Sequence, residues 1–204
     1  MIVRVLWAVV TTVIILGGCQ GVNAQEREDT TSQDEMTAMA MELARPGEEH
    51  KLLEKLAGEW DAETKMWMTP GADAMILPGR FSAKMVLGGR FLHGEYSIDT
   101  GQLTGEGLFV MGFDRRSEKF TYIHFDTWGT YWISATGTYD EDTRSITMYG
   151  EDLDPVTGNT QKYNFAFHFN ADDQWQFELF SLDEAYTQGA EPFKMVEVNY
   201  TRTE

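Results

Sequence analysis

From Trp60 onward the side chains alternate with period two, and they do so in ten short runs. In the first, Trp60, Ala62, Thr64, Met66 and Met68 fall on one face and Glu59, Asp61, Glu63, Lys65 and Trp67 on the other. Successive strand side chains point to opposite faces, so this pattern describes a half-buried β-strand. The other nine runs cover 81–87, 90–98, 105–113, 120–128, 131–139, 145–150, 162–170, 175–182 and 194–202. Most are separated by turn-forming residues: Gly88-Gly89, 114–119, 140–143, 154–159 and 171–174. With no long helix between them, ten such runs predict an all-β domain, an antiparallel sandwich or a closed barrel. Closure removes the exposed edges that a meander otherwise leaves. The alternation is clearest where Tyr163, Phe165, Phe167 and Phe169 oppose Lys162, Asn164, Ala166 and His168. The run 105–113 is apolar on both faces, which calls for an outer cover. The helical spacing of Leu52, Leu53 and Leu56 within 48–56, stopped by Gly58, offers one.

Aromatic residues make up 13% of the 204, enough for a substantial core. The net charge of −17 and the lack of a Lys/Arg stripe argue against a nucleic-acid partner. With a single cysteine, neither a disulfide framework nor a CxxC zinc site can form within the chain.

That cysteine closes an export-type leader. A charged start ending at Arg4 is followed by an apolar and threonine run over 5–16, too short to span a bilayer comfortably but suited to a signal peptide. Two cleavage readings compete within 1–24. Leu16-Gly17-Gly18-Cys19 resembles a bacterial lipobox, which would lipidate Cys19 and tie the protein to a periplasmic or outer-membrane surface. Val22-Asn23-Ala24 would instead allow plain secretion. Residues 25–47 read as an acidic flexible tether, with a short helix over 35–44 begun by the capping-box spacing of Ser32 and Glu35. Residues 48–204 form the β domain.

Several blocks resemble the bacterial family called domain of unknown function 1579, over about residues 46–204. They are Glu49-His50-Lys51-Leu52-Leu53 with Leu56-Ala57-Gly58-Glu59-Trp60, then Leu87-Gly88-Gly89-Arg90-Phe91-Leu92. Gly107 with Gly112-Phe113-Asp114 follows, then Phe125-Asp126 with Gly129-Thr130, and finally Lys194-Met195-Val196-Glu197 with Tyr200-Thr201-Arg202. This chain departs from the family's pattern in having His124 two residues before the aspartate, where Trp is frequent, and Phe113 where Tyr is frequent. The two ends of the domain also resemble a calycin, a lipocalin-like barrel. In that group a Gly-x-Trp on the first strand packs beneath a late arginine, which here assigns structural roles to Gly58, Trp60 and Arg202. The resemblance implies a barrel of about 8–10 strands with a short N-terminal helix. It brings no catalytic residues.

The chemistry-bearing residues are few. Phe120, Tyr122, His124 and Asp126 share one strand face. Turned inward, His124 and Asp126 would be a polar pair among aromatics. Polar groups persist in such a place only when paired with each other, with water or with a ligand. With Phe165, Phe167 and Phe177, the residues Tyr122, His124 and Asp126 form the expected ligand-binding set. His50 reads as a helix-cap or packing residue, and His93 and His168 as surface residues. Met66 and Met68 read as core rather than copper ligands, and the loop with Asp152, Asp154 and Asn159 as a solvated turn. No catalytic, metal-binding or cofactor motif is present in the sequence. Three functions stay open: non-catalytic binding of a small apolar or amphipathic ligand, a side-chain-filled barrel acting as a structural or interaction module, and an enzyme using His124 and Asp126. A lined cavity above about 300 Å3 favours the first.

Overall fold

The computed structural model describes residues 24–154, 158–187 and 191–203. The leader and Cys19 therefore lie outside the described residues. The chain divides into two units, Met1–Met41 and Glu42–Glu204. One continuous helix, α1 (Ala24–Leu43), occupies the stretch read as a tether, where the sequence predicts a helix only over 35–44. Its Met36, Met39 and Met41 are exposed. Such a helix has no apolar stripe for a sequence reader to detect.

In the second unit a short helix, α2 (His50–Leu56), precedes ten antiparallel strands. These are β1 (Gly58–Met66), β2 (Met75–Val86), β3 (Phe91–Asp99), β4 (Thr104–Asp114), β5 (Lys119–Asp126), β6 (Trp132–Asp140), β7 (Ser145–Leu153), β8 (Thr160–Ala171), β9 (Gln174–Ser181) and β10 (Phe193–Arg202). A four-residue helix, α3 (Glu184–Thr187), lies between β9 and β10. Each strand pairs with its sequence neighbour, and β1 pairs with β10 to close the barrel, so no edge is left. All ten predicted runs are strands. The largest boundary error is β2, which begins at Met75 rather than at 81.

The two ends of the barrel differ. The turns 87–90, 115–118, 141–144 and 172–173 are tight and share one end with α2. The loops at the other end are mostly longer, notably 67–74 and 182–192. The α2 end is filled by Leu53 and Leu56 of the helix, packed with fully buried Trp60, Phe81, Leu92, Met111, Phe120, Ile146 and Met148.

At the filled end the calycin-like pairing is present. The Arg202 guanidinium lies over the Trp60 ring, 4.0 Å from its centroid. It donates to the Ala57 and Lys55 carbonyls at 3.1 and 3.3 Å, and the Trp60 indole N–H donates to the Leu56 carbonyl at 3.0 Å. The last carbonyls of α2, unmet within the helix, thus receive donors from the first and last strands. Gly58, at φ +133°, leaves the room: a Cβ there would lie 2.2 Å from Arg202 Nη1. His50 is 5% exposed and holds the start of α2, its Nδ1 accepting from the Gly47 N–H at 2.9 Å.

Two expectations need correction. Helix α2 stops the barrel end and packs against β2, β3 and β4 there, so it does not cover the outer face of β4. Leu108 on that face is exposed, beside Ile123 and Phe125 of β5 and Trp132 of β6. A seven-residue helix whose Leu53 and Leu56 enter the core cannot also coat the wall. Met68 is not core: β1 ends at Met66, and Met68 is 64% exposed.

Candidate functional site

Away from α2 the barrel is hollow. A cavity of about 390 Å3 runs from the middle of the barrel to the end carrying the longer loops. Its walls include Ala62, Thr64, Ile98, Phe109, Ile133, Leu179, Val198 and Tyr200, with Trp67, Met68 and Trp128 at the mouth. All six residues expected to bind ligand, Tyr122, His124, Asp126, Phe165, Phe167 and Phe177, line it. Two larger depressions of about 570 and 450 Å3 lie on the wall, among outward-facing residues such as Arg80, Ser82, Glu95 and Glu106, or Thr136, Tyr149 and Lys162. Those shallow grooves cannot exclude water as the interior does.

The polar part of the cavity is set by strand register. Tyr96 on β3 sits opposite Gly107 on β4, which sits opposite Asp126 on β5. One pair along, Gly94, Phe109, His124 and Ile133 form the next row across β3 to β6. Gly107 is what joins the rows. A Cβ on it would fall 2.3 Å from the Tyr96 ring, so only glycine lets that ring lie flat across β4. The ring therefore reaches His124, stacking on it at 5.7 Å between centroids with 9° between planes. The Tyr96 hydroxyl lies 3.2 Å from His124 Nε2, and Asp126 Oδ2 lies 3.9 Å from Nδ1. With the ring proton on Nδ1, facing the carboxylate, Nε2 accepts from the Tyr96 hydroxyl. The Tyr122 ring lies nearly parallel to that of His124, 6.1 Å between centroids.

Burial dominates the electrostatics. It lowers the His124 pKa below the ordinary imidazole value, against the opposing pull of Asp126, so the ring is neutral at pH 7. Burial raises Tyr96, Tyr122 and Tyr200, which all keep their protons. The charge in the site is then the Asp126 carboxylate, whose other oxygen accepts from the Trp128 backbone N–H at 2.9 Å. Arg80 also borders the cavity, but its guanidinium is turned to the outer wall, where it pairs with Asp61. Trp175, 3% exposed and stacked on Tyr200 at 3.6 Å, has an indole N–H with no hydrogen-bond partner among the described residues.

Sequence reasoning missed Tyr96, Gly107 and Tyr200 as site residues. The phase of Leu92, Gly94, Tyr96 and Ile98 marks Tyr96 as inward, but only the register with β4 and β5 brings it to His124. His168 is on the outer wall, where its Nε2 lies 2.9 Å from Glu178 in an ion-pair network that continues to Lys194 and Glu197.

The family model described as "Protein of unknown function (DUF1579)" matches residues 45–202. No curated protein matches. The crystal structure of Rv2717c from M. tuberculosis is similar, with a TM-score of 0.55 and 13% identity over 78% of this chain and 100% of that one. The structure of an S-type phycobiliprotein lyase, CPES, from Guillardia theta gives a TM-score of 0.48 and 10% identity over 76% of this chain and 92% of that one. At such identities, the likeness to the first speaks for the fold alone.

Proposed function

The chain belongs to the DUF1579 family, and we propose that its barrel is a non-catalytic binding protein for a small, partly apolar molecule. The observation that carries this reading is the 390 Å3 interior cavity, apolar over most of its wall and polar where Tyr96, His124 and Asp126 meet. The volume falls in the range of ligand sites. The fold builds a filled core at the α2 end and a hollow at the other, which a purely structural barrel does not require. The ligand's apolar body lies among Phe165, Phe167 and Phe177, and its polar group meets His124 and Asp126. An enzyme reading is weaker. Tyr96, the hydrogen-bond partner of His124, is a phenol whose pKa burial raises, so it is a poor nucleophile. In keeping with the leader sequence, the protein is exported and held by a lipid on Cys19 at the periplasmic or outer-membrane surface, with secretion as the alternative.

Titration with a neutral, environment-sensitive dye such as N-phenyl-1-naphthylamine tests the binding reading. Saturable binding at one site is expected, and Ala62→Phe, which places a ring in the cavity, should remove it without unfolding the protein. Dye binding that survives the substitution would refute the cavity as the site.

A further inference from the structure

The residues at the polar end of the cavity also define which charge the ligand carries. Asp126 is mostly buried, its side chain 21% exposed, and the described residues give it no Lys or Arg partner. His124, 3.9 Å away, is its one ion-pair neighbour among them, and that ring is neutral at pH 7. The backbone N–H of Trp128 satisfies one carboxylate oxygen and leaves the other facing His124. The ring of Tyr96 lies across Gly107 in the row of Asp126, and Trp128 lines the cavity mouth two residues on. The Tyr96 ring also lies nearly parallel to that of His124, 5.7 Å between centroids. A lone carboxylate bordered by π-faces suits an organic cation, which is drawn to both. The net charge of −17 favours the approach of cations in the same sense. An anion would meet the opposite: Asp126 repels it, and Arg80, the cationic residue bordering the cavity, is turned outward to Asp61.

We propose that the ligand is an organic amine, its ammonium group held by Asp126 beside the rings of Tyr96 and Trp128 and its apolar body inside the barrel. This rests on the binding reading above and adds the sign of the charge. An uncharged alcohol of the same length can donate to Asp126 but lacks the ion pair and the cation–π contact. A carboxylate can make neither.

The test uses three probes of one chain length, n-decylamine, n-decanol and n-decanoate, titrated by calorimetry at pH 7 below their self-association concentrations. The amine should bind about ten-fold or more tightly than the alcohol, and the carboxylate weakest of the three. Asp126→Asn should bring the amine down to about the alcohol's affinity and weaken the alcohol far less, with the folded state of the variant checked by its thermal transition. Should that variant not fold, the comparison of the three probes on the unaltered protein still decides. Equal binding of all three, or tighter binding of the carboxylate, overturns the amine assignment and leaves the cavity reading standing. Binding of none overturns both.

Discussion

Replacing Gly107 by Ala tests how the site is assembled. The backbone of Gly107 is not in the left-handed region, so alanine meets no conformational obstacle there. The obstacle is Tyr96: the new methyl carbon would lie 2.3, 2.5 and 2.6 Å from Cε1, Cζ and the hydroxyl oxygen. Favourable contacts of this kind sit at about 3.5–4.0 Å, so the ring must withdraw by about 1 Å or more. Withdrawal breaks the stack on His124 and the 3.2 Å contact with its Nε2. Overpacking of this sort costs about 1–3 kcal/mol. A Tyr96→Ala background removes the ring, and there Gly107→Ala should be neutral or stabilising by about 0.5–1 kcal/mol, because glycine is the weaker strand residue. The coupling between the two positions is therefore about 1–4 kcal/mol, readable in a double-mutant cycle from urea denaturation of the four proteins. If Gly107→Ala costs the same in both backgrounds, to within about 0.5 kcal/mol, the glycine does not serve to admit the tyrosine, and the account of the site is wrong.

Arg202→Ala should cost about 1–3 kcal/mol, the sum of a cation–π contact and the donors to the α2 carbonyls, and lower Tm by several degrees. Arg202→Lys should recover only part of this, since an ammonium cannot reproduce the planar fork, and full recovery would show that charge alone matters. Trp60→Ala should cost more, about 3–5 kcal/mol, because a fully buried ring is lost. The folded protein holds a proton on His124 less tightly than the unfolded chain does. Stability should therefore be level above about pH 6.5 and fall as the pH drops below it. His124→Gln should flatten that limb in denaturation midpoints measured across the range, apart from the share due to His50, whose pKa burial also lowers. A separate loss is expected in stronger acid, below the ordinary carboxylate value, because the Lys194 hydrogen bond holds Glu197 at about 2. Cys19→Ser should release the protein from membrane fractions of its host, whereas a mature chain that begins at Gln25 without lipid would refute the anchor.

The barrel was legible because period two persists through every strand, and because the turn residues break it at regular intervals. Where that signal weakened, so did the reading. Pro78 and Gly79 argue against a strand, yet β2 runs through both. Pro78 pairs with Glu63 of β1, while the pairing with β3 begins only at Gly79, so the missing N–H faces no partner strand. Helix α1 was foreseen only over 35–44, because no periodic apolar face announces its full length. The inward set of Tyr122, His124 and Asp126 followed from phase alone, since a strand without a bulge before His124 keeps all three on one face. What phase could not supply was the row across strands. Tyr96 reaches His124 over a glycine in the strand between them, and that adjacency depends on the β3–β4–β5 register, which the alternation does not encode.

Native mass spectrometry of the protein purified from its own host decides whether the barrel carries a ligand. A co-purifying small molecule is expected, one per barrel, and it should be lost on Ala62→Phe while the protein stays folded. A host-purified chain whose mass shows no bound molecule, and which takes up none when returned to a total extract of its host's small molecules, would contradict the binding reading.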